Sequence, residues 1–357
     1  VKRLVCTGGG TAGHVVPTLP VMQAFVDAGV AVDFVGSGLA LERSLVATLP
    51  VTYHAISAGK LRRYFSLENL LDVFRVLRGI VQSWRLIRGL HPDVVFSKGG
   101  YVSFPVVLAA WLARVPVVAH ESDLSPGLAN RLALPFVTCL CVSFPGTKPA
   151  RFRGELLYTG TPVRPALLAG DAARGRALVG APSGKPVLVI TGGSLGADRL
   201  NAVVREALPA LAERAVVVHV CGPGKALPLA IPDYHQFEYV REEWGDLLAA
   251  ADLVVSRAGA NTLYELLCLH KPNILVPLPR SASRGDQIEN AAYAESEGFS
   301  RVIPEATLDA PTLVDAVADV LADQGQGSGR IAGFSPPDAV ALIVDAIRRA
   351  ADSGDAS

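Results

Sequence analysis

His14 lies in CTGGGTAGHVVP, Cys6 to Pro17, directly after a turn whose Gly8, Gly10 and Gly13 fit G-x-G-x-x-G. A neutral imidazole at the start of a helix can take a proton from a hydroxyl. The same residue can also do no more than cap or pack that helix. Two carboxylates, Glu121 and Asp123, stand in HESDLSPGLANR and could assist the proton transfer. A further glycine turn, SKGGYVSFP, groups Lys98, Gly99, Gly100 and Tyr101. A cation and a phenol there could touch an anionic acceptor, and packing is the alternative role for the glycines.

The second half opens with another glycine turn, VLVITGGSLGADRLN, Val187 to Asn201. Ser194 sits where a strand passes into a helix, so its N–H and hydroxyl can hold a diphosphate. Gly192, Ser194 and Gly196 also spell G-x-S-x-G, the nucleophile elbow of a hydrolase. A chain that restarts after a Pro/Gly boundary favours the phosphate cradle over that single-sheet fold. In SRAGANTLYELL, Glu265 stands about two turns into a helix, where a carboxylate can accept from both ribose hydroxyls. Arg257 can meet an anion or pair with Asp252. A dinucleotide reading of the first turn needs an acid at the end of the second strand. Asp33 lies inside that strand, and VGSG follows without one. No Asp-x-Asp pair occurs, so no metal-chelated nucleotide is expected. Departing charge must then be met by helix N-termini and Arg164.

Such side chains need a frame. Apolar runs Arg3–Thr7, Val32–Gly36, Asp93–Ser97, Val115–His120, Val137–Ser143, Pro186–Thr191, Ala215–Val220, Asp252–Ser256 and Asn273–Pro277 alternate with helical patterns such as Val15–Ala28 and Ala197–Arg214. Strands without clear in/out alternation, separated by helices, predict an α/β fold with parallel sheets covered on both faces. A Pro/Gly-rich break over Gly160–Pro186 puts the domain boundary near Thr161–Arg164. The reading is a first domain over 1–162, a second over 163–337, and a final helix and tail over 338–357. That helix, after the connector Gln324–Pro337, is expected to pack back on the first half.

The chain has 357 residues, half of them hydrophobic and 18% charged, enough for two full cores. Residues 1–160 hold 16 Lys+Arg against 9 Asp+Glu, and the remainder 17 against 24. The basic half is therefore expected to meet something anionic. Five cysteines, mostly in apolar runs, read as buried thiols and not as a disulfide frame. The opening VKRLVCTGGG has no leader pattern, and no apolar run reaches spanning length. Gly59–His91 interleaves Lys60, Arg62, Arg63, Arg75, Arg78, Arg85 and Arg88 with apolar residues at helical spacing. Such a helix can lie on an anionic membrane surface, and an ordinary half-buried helix is the alternative. No basic–aromatic pattern extends beyond it, so nucleic acid is not an expected partner.

GGGTAGHV, KGGYVSFP, HESDLSPGLANR, GTPVR, TGGSLGA, RAGANTLYE and DQIENA follow one another in the order found in one family. In these motifs the chain resembles the MurG family, the bacterial cell wall transferases that add N-acetylglucosamine to lipid-linked muramyl-pentapeptide. The resemblance covers nearly the whole chain. It implies a GT-B architecture, two Rossmann-like domains with parallel sheets facing across a cleft. It also implies inverting transfer from UDP-GlcNAc to the C4 hydroxyl of lipid I, forming lipid II, with no cofactor or metal. Peptidoglycan synthesis, and through it cell shape and division, would be the setting. The protein would be peripheral on the cytoplasmic face of the membrane.

Donor contacts implied by the resemblance are Arg164, Ser194, Ala260, Asn261, Glu265, Gln287 and Asn290, with Thr11, Ala12 and Gly13 near the transferred sugar. His14 matches the family's base or acceptor-site residue, and Lys98 to Tyr101 would meet the acceptor. The chain departs from the family at Asp123, where many members have Asn, and at Asp286, where Gln is commoner. Gln324–Pro337 is glycine-rich where the family is usually helical.

Overall fold

The computed structural model describes residues 1–59, 67–147, 149–150, 152–323 and 328–354. Two compact units make up the chain: Val1–Arg164 with Pro337–Ser357, and Pro165–Pro336.

The first unit is built on seven strands: β1 (Arg3–Thr7), β2 (Ala31–Gly36), β3 (Thr52–Ala55), β4 (Val94–Ser97), β5 (Val117–Glu121), β6 (Cys139–Val142) and β7 (Glu155–Tyr158). All pair in parallel, in the order β3-β2-β1-β4-β5-β6-β7. The second unit has β8 (Val187–Thr191), β9 (Val216–Val220), β10 (Tyr234–Phe237), β11 (Leu253–Ser256), β12 (Asn273–Leu275) and β13 (Arg301–Val302). These are also parallel, in the order β10-β9-β8-β11-β12-β13. Each sheet reverses direction of winding beside its first strand. The reversals lie between β1 and β4 and between β8 and β11, and the carboxyl ends of strands at such points are where ligands of parallel sheets bind.

Both faces of the first sheet are covered. Leu4 and Cys6 enter one core with Phe25 and Phe34, while Val5 enters the other with Val106 and Val107. Cys139 and Cys141 share the first of these cores, and all five cysteines are free. The final helix, Ala339–Gly354, buries Ile343, Ala346, Ile347, Ala350 and Ala351 in that same core. Their i, i+3, i+4, i+7, i+8 spacing is one helical stripe. Chain start and chain end thus complete one core. In the second unit, helices Asp198–Arg214 and Ala310–Ala322 cover one sheet face through Leu200, Val204, Leu208, Leu313 and Val317.

Two local readings change. The expected helix over 15–28 is two, Ala12–Val15 and Thr18–Asp27. Pro17 between them lacks an N–H, so the i→i−4 bond to the Gly13 carbonyl that would join the two cannot form. Within the connector 324–337, Ser328–Ala332 forms a short helix.

Candidate active site

In the first unit three loops converge at the carboxyl ends of β1, β4 and β5. His14 stands on the single helical turn Ala12–Val15, behind Thr11, whose side chain makes no cap bond. The backbone of this loop and the Gly99–Gly100 turn touch. A Cβ on Gly100 would fall against the Gly9 carbonyl and 3.0 Å from His14 Cδ2. A Cβ on Gly8 would lie 2.7 Å from the His14 carbonyl oxygen and 3.3 Å from Lys98 Cβ. Both positions need glycine because backbone, which cannot step aside, fills the space. The ring of Tyr101 packs on Gly10.

The third loop is fixed by Glu121, at the end of β5. Its Oε1 accepts from the Asp123 N–H at 3.0 Å. Its Oε2 accepts from the Gly127 N–H at 3.0 Å and from Asn130 Nδ2 at 2.8 Å. Burial, with the neighbouring charge of Asp123, pushes its carboxyl above the usual range. Glu121 is therefore turned inward as the brace of residues 122–127. Asp123, half-buried, remains on that loop.

Lys98, expected near an anionic acceptor, is 1% exposed. Its Nζ donates to Ser122 Oγ. Burial lowers the ammonium to about 8 against the pull of Glu121 and Asp123. Beside it, His120 is also fully buried, and desolvation drives its pKa well below the usual imidazole value. The ring is thus neutral, and Nε2 donates to the Gly160 carbonyl at 2.8 Å.

In the second unit, Ser194 is exposed on the loop between β8 and the helix Asp198–Arg214. Gly196 has φ +69 and presses on the Cys221 carbonyl, a close approach that no side chain would permit. That helix has Ala197 at its N-cap, with no side-chain cap bond. Its first amides and dipole are therefore available to an anion. Among the described residues no histidine bonds Ser194. His219 is held by Tyr234 at 3.0 Å and Asn201 at 2.9 Å, and His270 by the Phe334 carbonyl at 2.8 Å. The nucleophile-elbow reading lacks its base.

Gly259 caps the helix Ala260–Cys268, which carries Asn261 and Glu265, both half-buried, while Ala260 is buried. Arg257 pairs with Glu305 and donates to the Val276 carbonyl at 3.1 Å, and so is not paired with Asp252. Two expected donor contacts hold backbone. Gln287 Oε1 accepts from the Leu278 N–H at 3.0 Å, and the fully buried Asn290 donates to the Ala258 carbonyl at 3.2 Å. They shape the loops after β11 and β12. Arg164 is half-buried at the end of the first unit's sequence segment.

Two braces escaped the sequence reading: Asn130, which ties the helix Leu128–Ala133 to Glu121, and Asn201, whose Nδ2 donates to the Cys221 carbonyl at 2.8 Å. An amide inside an amphipathic helix gives no signal of its partner 9 or 20 residues away. Among the described residues no group of three or more His, Cys, Asp or Glu could hold a metal ion. Among the described residues no helix is long and apolar enough to cross a membrane.

Residues 4–142 match the glycosyltransferase family 28 N-terminal domain, and residues 187–330 its C-terminal domain. The UDP-N-acetylglucosamine--N-acetylmuramyl-(pentapeptide) pyrophosphoryl-undecaprenol N-acetylglucosamine transferase of Legionella pneumophila (strain Paris) is 47% identical over 351 residues, covering 98% of this chain and 97% of that protein. The enzyme of the same name from Lachnospira eligens is 47% identical over 328 residues, 91% of this chain and 93% of that one. Among solved structures, Acinetobacter baumannii MurG superposes with a TM-score of 0.76 at 25% identity, over 98% of this chain and 100% of that one. The UDP-GlcNAc 2-epimerase of Neisseria meningitidis reaches 0.69 at 13% identity, over 97% and 100%, a likeness of fold alone.

Proposed function

The chain belongs to glycosyltransferase family 28 and, within it, to the N-acetylglucosamine transferases of which MurG is one, and on that footing we propose that it transfers N-acetylglucosamine from UDP-GlcNAc to the C4 hydroxyl of the muramyl sugar of lipid I, with inversion, forming lipid II. Near-full-length identity to the named transferases carries this reading. The contrast between the two units supports it. One glycine loop presents an imidazole, and the other presents the uncapped start of a long helix.

In this reading His14 takes the proton as the acceptor oxygen attacks the anomeric carbon. A new C–O bond forms while the bond to the UDP oxygen breaks, and UDP leaves with the electron pair. The amides at the start of Asp198–Arg214, Ser194 and Arg164 stabilise the departing diphosphate. Thr11, Ala12 and Gly13 flank the sugar, and Tyr101 and Asp123 the acceptor. Ala260, Asn261 and Glu265 hold the nucleoside, with Glu265 on the ribose hydroxyls. Gln287 and Asn290 support them through the backbone.

We also propose peripheral binding to an anionic membrane, at the cytoplasmic face where such an acceptor would be used. On the helix Leu67–Leu90, Val73, Phe74, Leu77, Val81 and Trp84 are all exposed, Phe74 by 63%. At 3.6 residues per turn they fall within about 100° of one another. Arg75, Arg78, Arg85 and Arg88 stand on the same helix, with Arg88 over the Trp84 ring at 5.2 Å. Lys60, Arg62 and Arg63 lie outside the described residues.

Labelled UDP-GlcNAc with a short-chain lipid I analogue tests the transfer. Acceptor-dependent product and UDP release are expected from the wild type. Loss of roughly 100-fold or more in kcat is expected for His14→Ala, the range of general-base contributions. Weaker donor binding is expected for Ser194→Ala. Epimer formation without acceptor would overturn the reading, and near-normal turnover by His14→Ala would remove the base assignment.

A further inference from the structure

Glu42 is an acid on the helix Ala40–Val46, 2% exposed, outside every motif named above. Among the described residues its charge has no Lys or Arg ion pair. It is compensated instead by four hydrogen bonds from three segments. Oε1 accepts from the Gly10 N–H at 2.8 Å and from Ser37 Oγ at 2.7 Å. Oε2 accepts from the Ser37 N–H at 2.7 Å and from Tyr53 Oη at 2.8 Å. Two of these partners are backbone N–H groups, which can only donate, so each carboxylate oxygen is held as an acceptor. A buried charge so fully bonded is costly to disturb, because its partners would be left unsatisfied.

Its position gives these bonds a consequence for chemistry. Gly10 is the turn residue of the first glycine loop, at φ +91. Four residues later comes His14, on a single helical turn with no side-chain cap of its own. So short a helix does not hold its direction by itself. A Cβ on Gly9 would lie 2.7 Å from Glu42 Oε1, and one on Gly36 2.6 Å from Oε2. The glycines of both loops thus open the space in which the carboxylate sits. Burial and the bond to Glu42 also hold the Tyr53 phenol in its protonated, donating form by raising its pKa.

We infer that Glu42 is a positioning residue of the transfer reaction: its carboxylate ties the first glycine loop to the loop after β2 and so sets the direction in which the helical turn presents His14. This rests on the reading of His14 as the base. Replacing Glu42 by Gln puts an NH2 group against N–H or O–H donors on one side and releases a bond on that side. The turn carrying His14 then drifts, and a shift of about 1 Å at a reacting group can cost about 100-fold.

The test compares wild type, Glu42→Gln, Ser37→Ala, Tyr53→Phe and His14→Ala with UDP-GlcNAc and a water-soluble lipid I analogue. Glu42→Gln should lower kcat about 100-fold. Its affinity for UDP, which lacks the sugar that Thr11 to Gly13 would flank, should stay within about twofold, because Ser194 and Glu265 belong to the other unit. The acid limb of its kcat–pH profile should move, since the imidazole has changed surroundings; loss of folded protein lowers apparent kcat but leaves that limb in place. Ser37→Ala and Tyr53→Phe, each losing one donor, should fall between. A Glu42→Gln protein with wild-type kcat and pH profile, beside an inactive His14→Ala, overturns the inference. If Glu42→Gln does not fold, full activity with an unshifted profile in both single-donor variants overturns it as well. An active His14→Ala would instead overturn the underlying assignment.

Discussion

Lys98 keeps an ammonium group beneath the glycine loops with 1% exposure, and the charge is maintained at a cost. Its ordinary pKa of 10.5 falls to about 8, so the unfolded chain binds the proton more strongly than the folded one between those values. Stability contributed by this group therefore rises as pH increases through that window, and the burial cost is fully present below it. Lys98→Met removes the cost. Urea unfolding should show the variant's stability relative to wild type greatest near pH 7 and declining toward pH 9.5. A constant difference across that range would mean that Lys98 does not titrate in the fold. The same residue donates to Ser122, next to Asp123, so its charge bears on the loop that faces the acceptor in the proposed reaction.

The helix Leu67–Leu90 sets two demands against each other. Its buried positions Gly79, Ser83 and Ile87 pack it on the unit, while Phe74 and Leu77 face outward. An exposed apolar face flanked by arginines suits a surface that is apolar below and anionic above. Phe74→Ser with Leu77→Ser should weaken sedimentation with phosphatidylglycerol vesicles by about tenfold or more, from roughly 1.5–3 kcal/mol per large apolar side chain withdrawn from water. Turnover of a water-soluble acceptor should be unchanged. Added salt should weaken wild-type binding through the arginines. Equal binding of wild type and double variant would leave this face without a role at the membrane.

Across the whole molecule, the last helix makes the first unit discontinuous: its core is complete only when Ile343 and Ile347 arrive from the far end of the chain. Ile347→Ala should cost about 2–5 kcal/mol, as buried large-to-small changes do. Hydrogen exchange should locate the loss in the first sheet, at Leu4–Thr7, while Leu188–Thr191 keeps its protection. Equal loss in both sheets would mean that the two units unfold as one.

The sequence by itself determined the central strands and the loops that follow them. Strands such as β1, β4, β8 and β11 are buried almost throughout, so each is a short apolar run that ends at a glycine turn or a polar cluster. Missing from the apolar runs were β3, β7, β10 and β13, the strands at the four sheet edges. An edge strand buries little: Thr52–Ala55 alternates polar and apolar residues, and the apolar residues of Glu155–Tyr158 are only Leu156, Leu157 and Tyr158, too short a run to mark a strand. The candidate site was read from the same punctuation: His14 follows Gly13, Ser194 follows Gly193, and Glu265 stands on the helix that begins after Gly259. Their division of labour was not. Glu121, Lys98, Gln287 and Asn290 turn inward to hold loops, and Glu42 reaches Gly10 across 32 positions of chain. A polar residue has the same name whether it faces solvent or closes a hydrogen-bond network. Only the tertiary fold decides which, by bringing donors from distant segments to one carboxylate.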